Sequence, residues 1–318
     1  MKRILSIDGG GIRGIIPAVV LAEIENRTGK PVSQLFDLVA GTSTGGILAL
    51  GLCKSDGSGN PQFSAEKLME LYTERGGEIF SRSFWHGVSS VAGLLEEVYP
   101  AEPLETVLKD YFGTDLLKNA LKPVLISSYD IEHRQPFFFK SWREDVNTVE
   151  MRLVARATSA APTYFEPLKL ALDTGEATLI DGGVFVNNPA TSAYVEAKKL
   201  YPQENDFLLL SLGTGAHTRP IHYEEAKDWG KAAWALPILS VVFDGVAGAV
   251  DYQMKQLLGD SYFRFQQELM TASDDMDNAS KSNMLALRFE ARQMIGAKTA
   301  ELDRLCSLLA PEAPAYRR

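Results

Sequence analysis

Short apolar segments alternate with helical patterns through residue 215 of this 318-residue chain. Such alternation is typical of a mostly parallel sheet with helices on both faces. It predicts strands at 3–7, 35–40, 123–130, 136–141, 177–180 and 207–212, and helices at 14–28, 46–52, 64–79, 103–111 and 150–158. We therefore expect an α/β fold, built as a three-layer α/β/α sandwich around one central sheet.

The pattern becomes mainly helical beyond Gly215, with a polar loop at 273–282. The last helical segment has Leu302, Leu305 and Leu309 on one face, a spacing that suits packing against other elements. The chain shows no internal repeat and no linker that marks an independent domain. Residues 216–318 are therefore predicted to form a helical C-terminal extension packed on the body formed by residues 1–215.

The composition is that of an ordinary globular protein, with 45% hydrophobic and 23% charged residues. A formal net charge of -9 argues against a nucleic-acid partner, because nucleic-acid binding usually needs a basic surface. Cys53 and Cys306 lack the spacing of a metal site. The apolar run Ile4–Ile7 is too short for a signal peptide, and the broken apolar stretch 234–250 predicts buried or interfacial helices and no transmembrane segment. These features indicate a cytoplasmic protein.

The segment Gly41-Thr42-Ser43-Thr44-Gly45 matches the pattern G-x-S-x-G between a predicted strand and a predicted helix. Residues near the serine of such a tight turn must be small, and the glycines meet this need. The serine hydroxyl then lies at the carboxyl end of a strand and at a helix N-terminus, whose dipole favours negative charge. Ser43 is therefore a candidate nucleophile. The alternative is that Ser43 only caps the helix.

The stretch Asp8-Gly9-Gly10-Gly11-Ile12-Arg13-Gly14 follows the first predicted strand and has two interpretations. Its glycine spacing is the formal pattern of a dinucleotide-binding turn. Alternatively, the N–H groups of Gly9, Gly10 and Gly11 converge on an oxygen that becomes negative during a reaction. Arg13 then either adds to this field or braces the loop.

A serine nucleophile needs a neighbouring base, and the four histidines are poorly placed for this role. His86, His133, His217 and His222 do not end strands in glycine-rich turns. Surface or packing roles are the expected ones for all four, and we keep the last two in reserve.

Asp181 is better placed to act as the base. It follows the predicted strand 177–180 and precedes Gly182 and Gly183. A second sharp turn is thus predicted to present its carboxylate at the same edge of the sheet as Ser43. Local hydrogen bonding is the alternative role for an aspartate in a turn.

Together these residues resemble the patatin-like phospholipase family. The resemblance rests on three blocks in order, at 8–14, 41–45 and 181–183, and the segments 157–165 and 187–189 are also similar. It covers residues 4 to about 215, and less specifically the segment 226–265.

The resemblance implies a Ser–Asp dyad on a catalytic domain formed by residues 1–215. Ser43 attacks an ester carbonyl, Asp181 assists proton transfer, and an acyl-enzyme is then hydrolysed. The glycine block with Arg13 forms the oxyanion hole. Acyl lipids at a membrane surface are the implied substrates, with no metal and no organic cofactor. An aspartate of ordinary pKa, about 3.9, is a weak base, so Asp181 must be desolvated or the alkoxide strongly stabilised.

Three alternatives stay open on the sequence. A nucleotide-cofactor enzyme would want an acidic residue at the end of the second strand, whereas Asp37 lies early in it. A non-catalytic protein with this fold and a lipase awaiting an activating signal are the others. The stretches 79–99 and 234–250 are either ordinary core or apolar walls that receive an acyl chain. The oligomeric state is left unassigned.

Overall fold

A computed structural model of the chain describes residues 1–80, 99–216, 219–235 and 237–311. Its centre is a mixed sheet of eight strands. The strands are Lys2–Ile7 (β1), Leu38–Thr42 (β2), Val124–Asp130 (β3), Gln135–Lys140 (β4), Leu168–Leu172 (β5), Gly175–Asp181 (β6), Phe207–Leu212 (β7) and Tyr262–Phe265 (β8). The helices are Ile15–Thr28 (α1), Val32–Leu35 (α2), Thr44–Leu52 (α3), Ala65–Ile79 (α4), Ala101–Phe112 (α5), Met151–Thr158 (α6), Gly183–Val186 (α7), Ala190–Leu200 (α8), Tyr223–Ala226 (α9), Lys231–Trp234 (α10), Pro237–Leu258 (α11), Lys281–Ala297 (α12) and Thr299–Leu309 (α13).

Both faces of the sheet are buried under helices. Successive side chains of a strand point to opposite faces. In β1, Leu5 and Ile7 pack into an apolar cluster with residues of α1, α3, α4, α12 and α13. Ile4 points the other way, into a second cluster with α8 and with Met254 of α11. The predicted α/β fold with three layers is therefore confirmed.

Five strands run parallel in the order β3-β2-β1-β7-β8. Within β3, Ser127 pairs with Thr42 of β2 on one side and with β4 on the other. The next residue, Ser128, pairs with β4 and with Asp181 of β6. Because β4 occupies the same edge of β3 at both positions, β6 must share the edge that β2 occupies. The antiparallel β6 and β2 thus meet end to end along β3.

The predicted second strand at 35–40 begins too early. Residues Val32–Leu35 form a helical turn after Pro31, and the strand begins at Leu38. The carboxylate of Asp37 accepts the N–H of Arg3 at 2.9 Å, so regular pairing of β1 with β2 starts after it. Gly41 and Thr42 consequently belong to β2, and the sharp turn lies at Ser43 itself.

The region beyond Gly215 also contains a strand that the sequence analysis missed. Tyr262–Phe265 pairs in parallel with β7 and extends the central sheet. The leucines predicted for the last helix, Leu302, Leu305 and Leu309, are buried in the main core as expected. The domain boundary at residue 215 stays a prediction. Across the described ranges, no helix has the length and apolar character needed to cross a membrane.

Candidate active site

Ser43 occupies a strained turn between β2 and α3. Its φ of 54° and ψ of -126° are rare for a residue with a side chain. The turn depends on close backbone packing, since a Cβ at Gly41 would clash with the carbonyl of Gly45, and a Cβ at Gly45 with the carbonyl of Ile7. Ser43 makes no capping hydrogen bond with α3 through its side chain. The structure therefore does not support the alternative of a simple helix cap.

Three neighbouring residues fix this turn by hydrogen bonds. Thr158 accepts the N–H of Ser43 on its Oγ1 at 2.8 Å and donates to the carbonyl of Ser127 at 2.6 Å. Thr42 Oγ1 lies 2.7 Å from the Ser127 hydroxyl and donates to the carbonyl of Val186 at 2.8 Å. The sequence analysis assigned no role to Ser127 or Thr158. The signal that was present is a hydroxyl residue in the strand segment VLISSYD and another at the end of the helix segment MRLVARAT.

Asp181 ends β6 directly beside the end of β2, and its side chain is fully buried. Its Oδ1 accepts the N–H of Gly183 at 2.7 Å, and its own N–H donates to the carbonyl of Ala160 at 3.0 Å. Gly182 is required here because a Cβ would clash with Ser127. The predicted meeting of Asp181 with Ser43 therefore has a different cause from the one expected. The carboxyl ends of β2 and β6 meet because the two strands run in opposite directions along β3. The sequence analysis expected the two residues to meet because both strands end at the same edge of the sheet.

Burial raises the pKa of Asp181 to about 7, because the charged carboxylate loses its hydration. The Ser43 hydroxyl and the Gly183 N–H both oppose this rise without cancelling it. Within the described residues, Oδ2 has no hydrogen bond of regular geometry. Catalytic hydrogen bonds are often long before substrate binds. Asp181 thus has the burial, the proximity to Ser43 and the pKa that a general base requires.

The glycine loop also lies close to Ser43, since a Cβ on Gly9 would be 3.1 Å from the Cβ of Ser43. The N–H of Gly9 donates to the carbonyl of Asn187 at 3.1 Å, so this group is not available to an oxyanion as predicted. In the part of the chain that the structure describes, the N–H groups of Gly10 and Gly11 have no hydrogen-bond partner. Gly11 has a φ of 58° and lines the same cavity as Ser43. The candidate donors are therefore Gly10 and Gly11.

Arg13 lies in the turn that follows the glycines, and it is only 3% exposed. Its Nε donates to the carbonyl of Gly10 at 3.4 Å. Burial lowers the pKa of Arg13, and Asp244 and Asp274 oppose this effect. Of the two roles considered for Arg13, this geometry favours bracing of the loop.

Residues far along the chain hold the glycine loop in place. Arg264 of β8 pairs with the buried Asp8 at 2.6 Å, and the carbonyl of Met276 accepts the N–H of Ile12 at 2.8 Å. Thr214 donates to the carbonyl of Gly9 at 2.7 Å. Burial raises the pKa of Asp8, and the positive charge of Arg264 opposes this rise. None of these contacts was predicted, because no local pattern links these positions.

A narrow cavity opens between Ser43 and Asp181, and its walls are mostly apolar. Phe80, at one end of the stretch 79–99, and Phe243, within 234–250, both line it, as the acyl-wall interpretation of these stretches requires. The rest of the first stretch, 81–98, lies outside the described residues. The apolar lining consists of Ile47, Leu71, Ile79, Phe80, Leu104, Phe165, Phe243 and Met276.

The other candidate residues that the structure describes are not brought to this cavity. His133 pairs with Asp130 at 2.7 Å on the surface, and His222 precedes the short helix α9. His86 and His217 lie outside the described residues. Asp37 contacts Lys2 and Arg3 at the start of β2, at the opposite end of that strand from Ser43. A dinucleotide site would need an acidic residue at the end of β2, but the turn at Ser43 occupies that position. The structure therefore does not support the nucleotide-cofactor alternative.

The sequence is similar to a family model described as patatin-like phospholipase, which matches residues 5–194. Patatin-like protein 2 of Oryza sativa subsp. indica is 32% identical, with 89% of this chain and 81% of that protein aligned. Patatin-like protein 4 of Arabidopsis thaliana is 31% identical, over 94% and 84%. The Solanum tuberosum protein named probable inactive patatin-3-Kuras 1 is 30% identical, over 90% and 84%.

Among solved structures, VipD from Legionella pneumophila aligns with a TM-score of 0.41 and 13% identity, over 93% of this chain and 67% of that one. The matched family segment includes Ser43, Asp181 and the glycine loop. Membership of this family indicates lipid acyl hydrolysis in general terms. With a family model over most of the body and relatives aligned over most of their length, the chain belongs to the patatin-like phospholipase family.

Proposed function

We propose that this protein hydrolyses fatty-acyl esters of phospholipids or related membrane lipids, with Ser43 as nucleophile and Asp181 as base. The observation that carries the proposal is the position of both residues in one apolar cavity. An acyl chain fits the chemistry of those walls, since they offer burial to an apolar ligand and few polar partners. No metal or organic cofactor enters the proposed reaction.

Acylation begins when Ser43 Oγ attacks the ester carbonyl carbon and Asp181 takes the hydroxyl proton. A pKa of about 7 makes Asp181 a far stronger base than an aspartate in water. The C–O bond to the alcohol then breaks, and the proton passes from Asp181 to the departing oxygen. In the second half, water attacks the acyl-enzyme, its proton goes to Asp181, and Ser43 recovers a proton as the acid leaves.

The carbonyl oxygen becomes negative in both halves of this cycle. We propose that the N–H groups of Gly10 and Gly11 stabilise it, with the N-terminus of α3 adding a favourable dipole. Loss of one such donor costs about 3–4 kcal/mol of transition-state stabilisation in other enzymes. Fixing this loop is therefore expected to affect the rates of both acylation and deacylation.

The pH dependence follows from the raised pKa of Asp181. The carboxylate must be deprotonated to act as base, so kcat/KM is expected to fall below about pH 7 with a slope of one proton. Replacing Asp181 by Asn removes the titrating group and the activity with it. A profile that stays flat down to pH 5 would contradict this assignment.

The direct test compares Ser43→Ala and Asp181→Asn with the wild-type protein on a p-nitrophenyl acyl ester. Both variants are expected to lose turnover while their circular dichroism and cooperative unfolding stay intact. Ser58→Ala, in an exposed loop, is the matched control and keeps full activity. A fluorophosphonate probe with peptide mapping should label Ser43. Full activity in Ser43→Ala, or no turnover of any acyl ester by the wild-type protein, would overturn the proposal.

A further inference from the structure

Ser159 carries a buried hydroxyl that the mechanism above leaves unused. The residue is 8% exposed, and its Oγ has no hydrogen-bond partner within the described ranges. Yet Ser159 lines the same cavity as Ser43 and Asp181. A buried hydroxyl without a partner destabilises the folded state, so its presence calls for a reason.

Ser159 lies in the chain between two residues that accept hydrogen bonds from Ser43 and Asp181. The residue before it, Thr158, accepts the N–H of Ser43 at 2.8 Å. The residue after it, Ala160, accepts the N–H of Asp181 at 3.0 Å. Its own N–H donates to Ala155 at 3.2 Å, which ties it to the end of α6. The backbone of Ser159 is therefore fixed relative to both the nucleophile and the base.

The reaction offers two substrate oxygens that need a hydrogen bond. The carbonyl oxygen faces the N–H groups of the glycine loop, which belongs to a different element from Ser159. The alcohol oxygen of the ester must instead lie near Asp181, because Asp181 returns the proton to it. Ser159 lines the cavity beside Asp181, and the glycine N–H groups already serve the carbonyl oxygen, which favours the alcohol oxygen as the partner of its hydroxyl.

We propose that Ser159 Oγ binds the leaving oxygen of the ester during acylation and the attacking water during deacylation. The proposal rests on the proposed function. Both oxygens occupy one place, because water enters by the reverse of the path on which the alcohol leaves. A hydroxyl suits this double role, since it donates to the departing oxygen and accepts from the water.

The proton balance is unchanged by Ser159. When the ester C–O bond breaks, the proton from Asp181 forms the new O–H bond of the alcohol, and Ser159 contributes a hydrogen bond only. When water attacks, one of its protons goes to Asp181 and the other stays hydrogen-bonded to Ser159. Ser159 is therefore a substrate-binding residue that steers the oxygen between the acyl carbon and Asp181.

The test compares two esters of one fatty acid, a p-nitrophenyl ester and an alkyl ester, with Ser159→Ala. The strongly basic alkoxide needs help to leave, whereas p-nitrophenolate does not. We expect kcat/KM for the alkyl ester to fall about 10- to 100-fold, as for loss of a hydrogen bond to a charged group. For the p-nitrophenyl ester, kcat/KM should change little. The release of p-nitrophenolate should show an initial burst followed by a slower steady state than in the wild type, because deacylation is slowed.

The Tm of Ser159→Ala distinguishes a substrate-binding role from a structural one, because loss of a structural residue would lower the Tm. Ser159→Ala removes an unsatisfied buried hydroxyl, so its Tm should equal or exceed that of the wild type. Thr191→Val is the matched control, because Thr191 Oγ1 is also buried without a partner but lies on α8, outside the catalytic cavity. It should keep its activity on both esters. Ser159→Cys keeps the shape and weakens the donor, and serves if Ser159→Ala does not fold.

Three results with Ser159→Ala would overturn the role of Ser159. They are equal losses of kcat/KM on the two esters, no loss of kcat/KM on the alkyl ester, or a Tm below that of the wild type. These outcomes leave the proposed function intact as long as the wild-type protein turns over and the fluorophosphonate probe labels Ser43. Labelling of Ser159 in place of Ser43 would overturn both proposals together.

Discussion

The two sides of the active site are held by different parts of the chain. The turn at Ser43 is fixed by Ser127, Thr158 and Val186, which we call the elbow scaffold. All three lie within residues 5–194, where the family model matches. Their hydrogen bonds join β2, β3 and α6, which are neighbours in the sheet or pack directly on it. Ser43 is thus supported by the same elements that form the centre of the fold.

The glycine loop is held by Asn187 within the matched segment and, in addition, by three residues beyond it. These residues are Thr214, just after β7, Arg264 on β8, and Met276 in the segment that follows, and we call them the loop scaffold. The part of the chain after residue 194 therefore helps to hold the glycine loop, which we propose stabilises the oxyanion. The G-x-S-x-G pattern around Ser43 gives no indication of these distant contacts to the glycine loop.

Breaking the ion pair of the loop scaffold should have the largest effect on stability. Arg264→Met leaves the buried Asp8 without its cation, and such a change costs about 3–5 kcal/mol. Asp8→Asn combined with Arg264→Met removes both charges and should recover most of that loss. Urea unfolding followed by circular dichroism measures each value. A single variant within about 1 kcal/mol of the wild type would show that the pair does not hold the loop.

Asp181→Asn tests the elbow side through the cost of its buried charge. The folded-state pKa, about 7, lies above the ordinary 3.8, so the folded protein binds this proton more tightly than the unfolded chain does. Wild-type stability is therefore expected to fall as pH rises from 4 to 7, by an amount on the order of 4 kcal/mol at most.

The asparagine variant lacks this dependence, since it cannot take up the charge. It should match the wild type near pH 4 and exceed it above pH 7, although it has lost its activity. Thermal unfolding of both proteins across this range decides the point. A variant that is less stable than the wild type at pH 8 would contradict a destabilising buried carboxylate.

The sequence was sufficient for the elbow because its signals are local. A strand, small residues and a helix adjoin one another at Ser43, and Asp181 stands in a similar context before Gly182 and Gly183. The direction of β6 relative to β3 could not be predicted from the sequence, because a parallel and an antiparallel strand at this place show the same pattern of apolar residues. The end-to-end meeting of β6 with β2 therefore emerged only from the register.

The loop scaffold could not be predicted because its contacts join distant positions. Asp8 and Arg264 are 256 residues apart, and Arg264 lies in a four-residue strand too short to show a pattern. The N–H of Gly9 was predicted to face the oxyanion, but the carbonyl of Asn187 already accepts it. The spacing of glycines in the sequence indicates that a loop is tight, but it does not indicate which N–H groups of the loop lack a hydrogen-bond partner.

Thr158→Val sharpens the comparison on the elbow side. The variant keeps the shape of the side chain but leaves the N–H of Ser43 without its acceptor and the carbonyl of Ser127 without its donor. Loss of a buried hydrogen bond of this kind costs about 1–3 kcal/mol. We expect a lower unfolding free energy and a lower kcat, because the turn at Ser43 loses its anchor. Thr158→Ser keeps the hydroxyl and should keep most of both, and an equal loss in the two variants would refute the hydrogen-bond explanation.

Thr214→Val makes the corresponding change in the loop scaffold, with the smallest expected effect. It removes one neutral hydrogen bond to the carbonyl of Gly9, worth about 1 kcal/mol, while Asn187 and Arg264 still hold the loop. The decisive measurement is the double variant with Thr158→Val. If the two scaffolds act independently, their effects on unfolding free energy add within about 0.5 kcal/mol. A larger deviation would show that the elbow and the glycine loop form one cooperative unit, since a Cβ on Gly9 would lie 3.1 Å from that of Ser43.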